Sequence, residues 1–194
     1  MMTAWGRGIL LSCMIMAFGA MDAAARECAG VKFPDQTQLD GGSLTLNGLG
    51  MRKATLLRID VYVAALYVAS VSHDPNAILG ANTPIKLILH FVRDVGADDI
   101  SNGFDEGFAK SAKAQLPALQ DRIATLDGWM TNIQTGQQMT FIARPGVGVQ
   151  VDVNGVAKGT IKGDDFARAF LSIWLGGNPP NAELKQGLLG GPCA

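Results

Sequence analysis

Apolar and polar residues alternate over several short stretches, and each such stretch predicts a strand. Residues 43–52 and 57–69 are the first two. In the second, Leu57, Ile59, Val61, Val63, Ala65 and Tyr67 fall on one face; Arg58, Asp60, Tyr62, Ala64, Leu66 and Val68 fall on the other. The second face begins polar and turns apolar, so both faces are covered along part of its length. Residues 85–92 (IKLILHFV) form a third strand between Pro84 and the Arg93-Asp94 pair. From Asp98 the period changes: Ile100, Phe104, Phe108 and Ala112 recur every four residues and mark a helix, with Asp98 and Asp99 where a cap and the helix dipole favour acids. Gly103 and Gly107 flank that stripe and weaken the helix, which suits close packing against a sheet or a ligand. Residues 116–126 continue as a second helix with Pro117 in its first turn.

Strand patterning then returns at residues 138–143. Val147, Val149, Val151 and Val153 alternate with small or polar residues and run into Asn154-Gly155, a strong two-residue hairpin signal, with a return strand over 156–161. Asp164 reads as an N-cap for a helix whose apolar face is Phe166, Ala169, Phe170, Ile173 and Trp174. Gly176-Gly177 is suited to end it with positive φ, Pro179-Pro180 blocks its continuation, and residues 181–189 form a last short helix. Strands, helices, a hairpin and more helices, without repeat or linker, predict one α+β domain: an antiparallel sheet with helices on one face.

The extreme N-terminus stands apart. Arg7, a short apolar run and Ala23-Ala24-Ala25 have the layout of a cleavable secretory signal over residues 1–25, leaving a single domain over 26–194. The run is shorter than the roughly 20 residues of a typical membrane span. The expectation is therefore a secreted or periplasmic protein with no stable membrane insertion after cleavage.

Export alters the meaning of the cysteines. Cys13 departs with the signal, and Cys28 and Cys193 remain near the two ends, either as one disulfide or as two free thiols. A bridge over so long a loop has a chain-entropy ceiling of roughly 5 kcal/mol. The chain has 194 residues, 16 Lys and Arg against 17 Asp and Glu, and a net charge of −1, which argues against a general grip on nucleic acid. His73 and His90 show no metal-ligand spacing with the cysteines, so neither metal nor other cofactor is expected. His90, alone in an apolar strand, reads as a core histidine. Arg93 and Asp94 read as an ion pair or helix cap, and Trp174 and Leu175 as core. No nucleophilic triad or spaced carboxylate pair is legible.

The stretches LNGLGMRK, VYVAALYVAS, PIKLILHFVRDV and FLSIWLGGNPPNAELKQGLLG resemble the bacterial exported branch of the chalcone isomerase-like family over about residues 43–190. That resemblance implies an open-faced β-sandwich, a curved antiparallel sheet backed by a layer of helices with a cleft between them. It also implies two functional branches. One cyclises chalcones; the other binds fatty acids without chemistry. Their shared element is an arginine in a GxGxR stretch, here Gly48, Gly50 and Arg52, where the glycines bend the chain and place the arginine. Arg52 would hold a carboxylate through its planar fork of donors or stabilise a phenolate and enolate. Tyr62 takes the place of a polar threonine in the plant enzymes, and a second tyrosine those enzymes use is absent from residues 95–100. Tyr67 lies on the opposite strand face. The expectation is therefore binding of a small amphipathic or aromatic anion by Arg52 and Tyr62, with Phe104 and Phe108 lining the cleft. The alternatives are an isomerase (intramolecular lyase) in which Arg52 and Tyr62 are catalytic, and a structural or interaction protein.

Overall fold

The computed structural model describes residues 24–54 and 57–193. The proposed signal over 1–25 lies almost wholly outside the described residues. The strands are β1 (Ala25–Cys28), β2 (Val31–Pro34), β3 (Gln36–Leu39), β4 (Gly42–Ala54), β5 (Ile59–Val68), β6 (Ile85–Phe91), β7 (Gln138–Arg144), β8 (Gly148–Val153) and β9 (Val156–Lys162). The helices are α1 (Pro75–Leu79), α2 (Ala97–Ser111), α3 (Leu116–Asp127), α4 (Asp164–Leu175) and α5 (Ala182–Leu188). Strands β3 to β9 form one seven-stranded antiparallel sheet in sequence order, curled over the helices, as the α+β reading requires. Among the described residues no helix is long and apolar enough to cross a membrane.

Alternation explains the two cores. From β5, Ala64, Leu66 and Val68 face the helices and join Leu87 and Leu89 of β6, Phe104 and Phe108 of α2 and the apolar face of α4. Val63, Ala65 and Tyr67 face the other way, into a smaller core with Phe33 and Cys28 from the β1–β2 hairpin. The sequence pattern does not mark that hairpin, β3 or α1. Each hairpin strand has four residues, too few for a period to show. A disulfide joins Cys28 to Cys193, with Cα atoms 5.9 Å apart, and pins the hairpin to the segment after α5.

Local signals hold with adjustments. Asn154 and Gly155 both have positive φ (51° and 79°), as a tight hairpin turn demands. Asp98 and Asp99 occupy the first turn of α2, but its N-cap is Gly96. Asp164 likewise lies inside α4, capped by Gly163, and its carboxylate accepts from the Gly146 backbone N–H at 2.8 Å. Gly176 ends α4 with φ −72°, not the positive φ expected; glycine fits there because a Cβ would stand 2.4 Å from the Ser172 carbonyl oxygen.

Asp127 ends α3 at the helix's negative pole, with one buried carboxyl oxygen that has no hydrogen-bond partner among the described residues. Burial, with Asp105 nearby, pushes its pKa from 3.8 to about 6. Because the folded pKa is the higher, the penalty is absent below pH 4, grows between pH 4 and 6, and is complete above. Asp127→Asn should thus stabilise the protein at pH 7 by about 1 kcal/mol, after discounting for solvent screening. Thermal melts at pH 7 and below pH 4 should show the gain only at the higher pH.

Candidate functional site

A cavity of about 770 Å³ opens between the helix-facing side of the sheet and the helices. Its walls come from the ends of β4, β5 and β6, from α2 and α4, and from the Asn178–Pro180 connection. Leu89, Phe91, Ile100, Phe104 and Ile173 make it apolar inside, while the exposed Arg93, Asp99, Glu106 and Lys110 ring its mouth. That volume lies within the roughly 300–1,000 Å³ of ordinary ligand sites.

Two irregularities in β4–β5 pairing build the polar corner. The first falls between Leu46 and Gly48, at Asn47. It shifts the alternation by one residue, so Leu44 and Leu46 before it, and Leu49 and Met51 after it, all reach the smaller core. Gly48, Gly50 and Arg52 are thereby turned to the helix side. The glycines do not bend the chain, as the sequence suggested; both lie inside β4. Their role is contact with α5. A Cβ on Gly48 would stand 2.0 Å from the Gly187 carbonyl oxygen, one on Gly50 2.3 Å from that of Leu184, and one on Gly187 2.2 Å from that of Leu49. Helix and strand therefore touch backbone to backbone.

Polar contacts fix both ends of this seam. Buried Asn47 donates to the carbonyls of Leu188 (2.7 Å) and Ser72 (3.0 Å) and accepts from the Ser72 N–H. Asn181, the N-cap of α5, accepts from the Lys53 N–H at 2.9 Å and donates to the Lys53 carbonyl at 3.0 Å. The Arg52 guanidinium donates to the same Asn181 side chain at 3.2 Å and to the Lys53 carbonyl. No carboxylate lies within ion-pair distance of Arg52 among the described residues.

Tyr62 is the cross-strand partner of Arg52, so both project into the same cavity. Its hydroxyl oxygen accepts from the Trp174 indole N–H at 2.9 Å, and its ring meets Phe91 edge-on at 5.6 Å. Burial raises the Tyr62 pKa, and Trp174 and Arg52 only partly oppose that. The phenol therefore stays protonated at neutral pH, a hydrogen-bond donor with its acceptor side already engaged. A second irregularity, between Arg52 and Lys53, brings Ile59 and Val61 into the cavity wall beside Tyr62, although strict alternation puts them on the opposite face.

The other expected residues divide. Phe104 lines the cavity. Phe108 is not part of the wall; one turn further along α2, it packs against Phe166 (ring centroids 5.5 Å) and is fully buried. Trp174 is buried as expected, but it also reaches the cavity and Tyr62, a role its place in an apolar helical stripe conceals. Asp94 caps no helix; it accepts from the N–H and hydroxyl of Thr135 at 2.7 and 2.9 Å. Tyr67, on the reverse face, donates to the Pro34 carbonyl at 2.9 Å. No cluster of three or more metal-ligating side chains occurs among the described residues.

The family model described as chalcone isomerase-like matches residues 25–190. The chain belongs to the chalcone isomerase-like family. Its fold is also that of a crystallised fatty-acid binding protein from Arabidopsis thaliana, with a TM-score of 0.65 and 20% identity, over 82% of this chain and 92% of that one. No curated protein matches the chain. Within this chalcone isomerase-like chain, the GxGxR stretch is both the α5 docking seam and the source of a half-buried cation in the cavity wall.

Proposed function

We propose that the protein is an exported, bacterial-type member of its family that holds a fatty acid or similar amphipathic anion in this cavity without converting it. One observation carries the reading: the Arg52 guanidinium faces a cavity with an apolar inner wall and has only neutral partners among the described residues. A carboxylate there gains charge-assisted hydrogen bonds from the guanidinium and from the Tyr62 hydroxyl. Its alkyl chain would run over Phe91, Phe104 and Ile173, where burial contributes about 0.8 kcal/mol per methylene. The fatty-acid binding protein of like fold is consistent with this ligand class. The Cys28–Cys193 disulfide suits an oxidising compartment and so supports export.

The isomerase alternative is less well supported. It would use Arg52 to stabilise developing oxyanions, but Tyr62 is the cavity's sole tyrosine, and residues 95–100, where the resemblance to the plant enzymes implies a second, contain none. Native mass spectrometry of the purified mature protein should reveal a co-purifying carboxylate lipid, lost on delipidation and regained on adding palmitate. Delipidated protein that retains no palmitate, or measurable turnover of a hydroxychalcone that stops in Arg52→Ala, would overturn the non-catalytic reading.

A further inference from the structure

The reverse face of the sheet carries a second concavity, of about 440 Å³, between the β1–β2 hairpin and β6. Lys86, Ile88 and His90 alternate along β6 on this side, and Phe33 of the hairpin closes over them with its ring edge-on to His90 at 6.3 Å. The groove's charged lining is Lys32 and Lys86, with the imidazole of His90 beside them and no carboxylate among the described residues. Neighbouring charges are largely engaged elsewhere. Lys32 reaches Glu27 (3.9 Å), and Asp35 pairs with Arg26 (3.2 Å). The Tyr67 hydroxyl proton goes to Pro34.

Lys86 and His90 remain. The half-buried Lys86 ammonium donates to the Thr37 hydroxyl at 3.2 Å and has no carboxylate partner among the described residues; the His90 imidazole makes no hydrogen bond to them. Burial lowers the pKa of both, as expected where no anion offsets desolvation. A half-buried ammonium without a carboxylate partner, an imidazole with free ring nitrogens and an apolar wall thus share one concavity.

We propose that this groove is a second binding site, separate from the Arg52 cavity by the thickness of the sheet, for a small monocarboxylate with an apolar or aromatic body. Lys86 and the His90 N–H hold the carboxylate, and Phe33 and Ile88 cover the body. One ammonium beside a neutral imidazole matches a single negative charge better than the two of a phosphate.

Phenylacetate is a suitable probe, followed by two-dimensional NMR of the two imidazoles and the Trp174 indole in the oxidised mature protein. The His90 signals should move and saturate, those of His73 and Trp174 should stay, and Arg52→Ala should leave the titration unchanged. Lys86→Gln should weaken it about tenfold, the worth of one charge-assisted hydrogen bond. A His90 response that is absent or never saturates, that survives Lys86→Gln at full affinity, or that disappears in Arg52→Ala would overturn the second site. None of these results bears on whether the Arg52 cavity holds a lipid.

Discussion

Gly48→Ala is expected to destabilise the protein by about 3 kcal/mol, a large loss for adding one methyl group. The reason is what the methyl would meet. The Gly187 carbonyl oxygen lies 2.0 Å from its position and that of Leu188 2.6 Å, and both belong to the backbone of α5. A flexible side chain would swing aside; a helical carbonyl moves only if the helix lifts. Lifting α5 would also strip Asn47 of its bond to Leu188 and pull Leu184 and Leu188 from the core, where both are fully buried. Urea denaturation of the oxidised protein would measure the loss. Gly103→Ala is the control: nothing lies within 4 Å of the added carbon, and the helix gains up to about 1 kcal/mol in propensity. If Gly48→Ala were as stable as the parent, the backbone contact between α5 and β4 could not be as close as described.

That seam shows how far the sequence could be read. Where burial on a face follows a simple period, the elements are visible: β5 to β8, the Asn154-Gly155 turn and the apolar stripe of α4 all lie near their expected positions. The β4 strand also lies near its expected position, but the irregularity at Asn47 breaks its period, and its glycines resemble a bend when their neighbour, α5, is more than 130 residues away in sequence. No local pattern records a backbone contact between such distant segments. Similarly, the stripe Phe104–Phe108 identifies a buried helix face but not where along it the cavity stops; only packing against Phe166 settles that Phe108 is core. The sequence marks neither Asn181 nor Trp174 as a site residue, because a helix cap and a core tryptophan each have an ordinary explanation. Their hydrogen bonds to Arg52 and Tyr62 exist only once α4 and α5 are docked.

Arg52→Ala should lower affinity for a fatty acid about 100-fold while changing fold stability by no more than about 1 kcal/mol. The two effects separate because the guanidinium makes only neutral contacts among the described residues, and Asn181 keeps its own bonds to the Lys53 backbone when the side chain is removed. Arg52→Lys should recover only part of the affinity, since an ammonium cannot offer two parallel donors to a carboxylate. The sharper test pairs the protein change with a ligand change. A fatty alcohol of the same chain length keeps the tail and removes the charge. If the head group truly meets Arg52, the parent protein should bind that alcohol about as weakly as Arg52→Ala binds the acid, and the variant should bind acid and alcohol nearly alike. Displacement of a fluorescent fatty acid would measure all four affinities. Equal losses on removing the carboxylate in both proteins would mean that the head group sits elsewhere, and the cavity's cation would then need a different explanation.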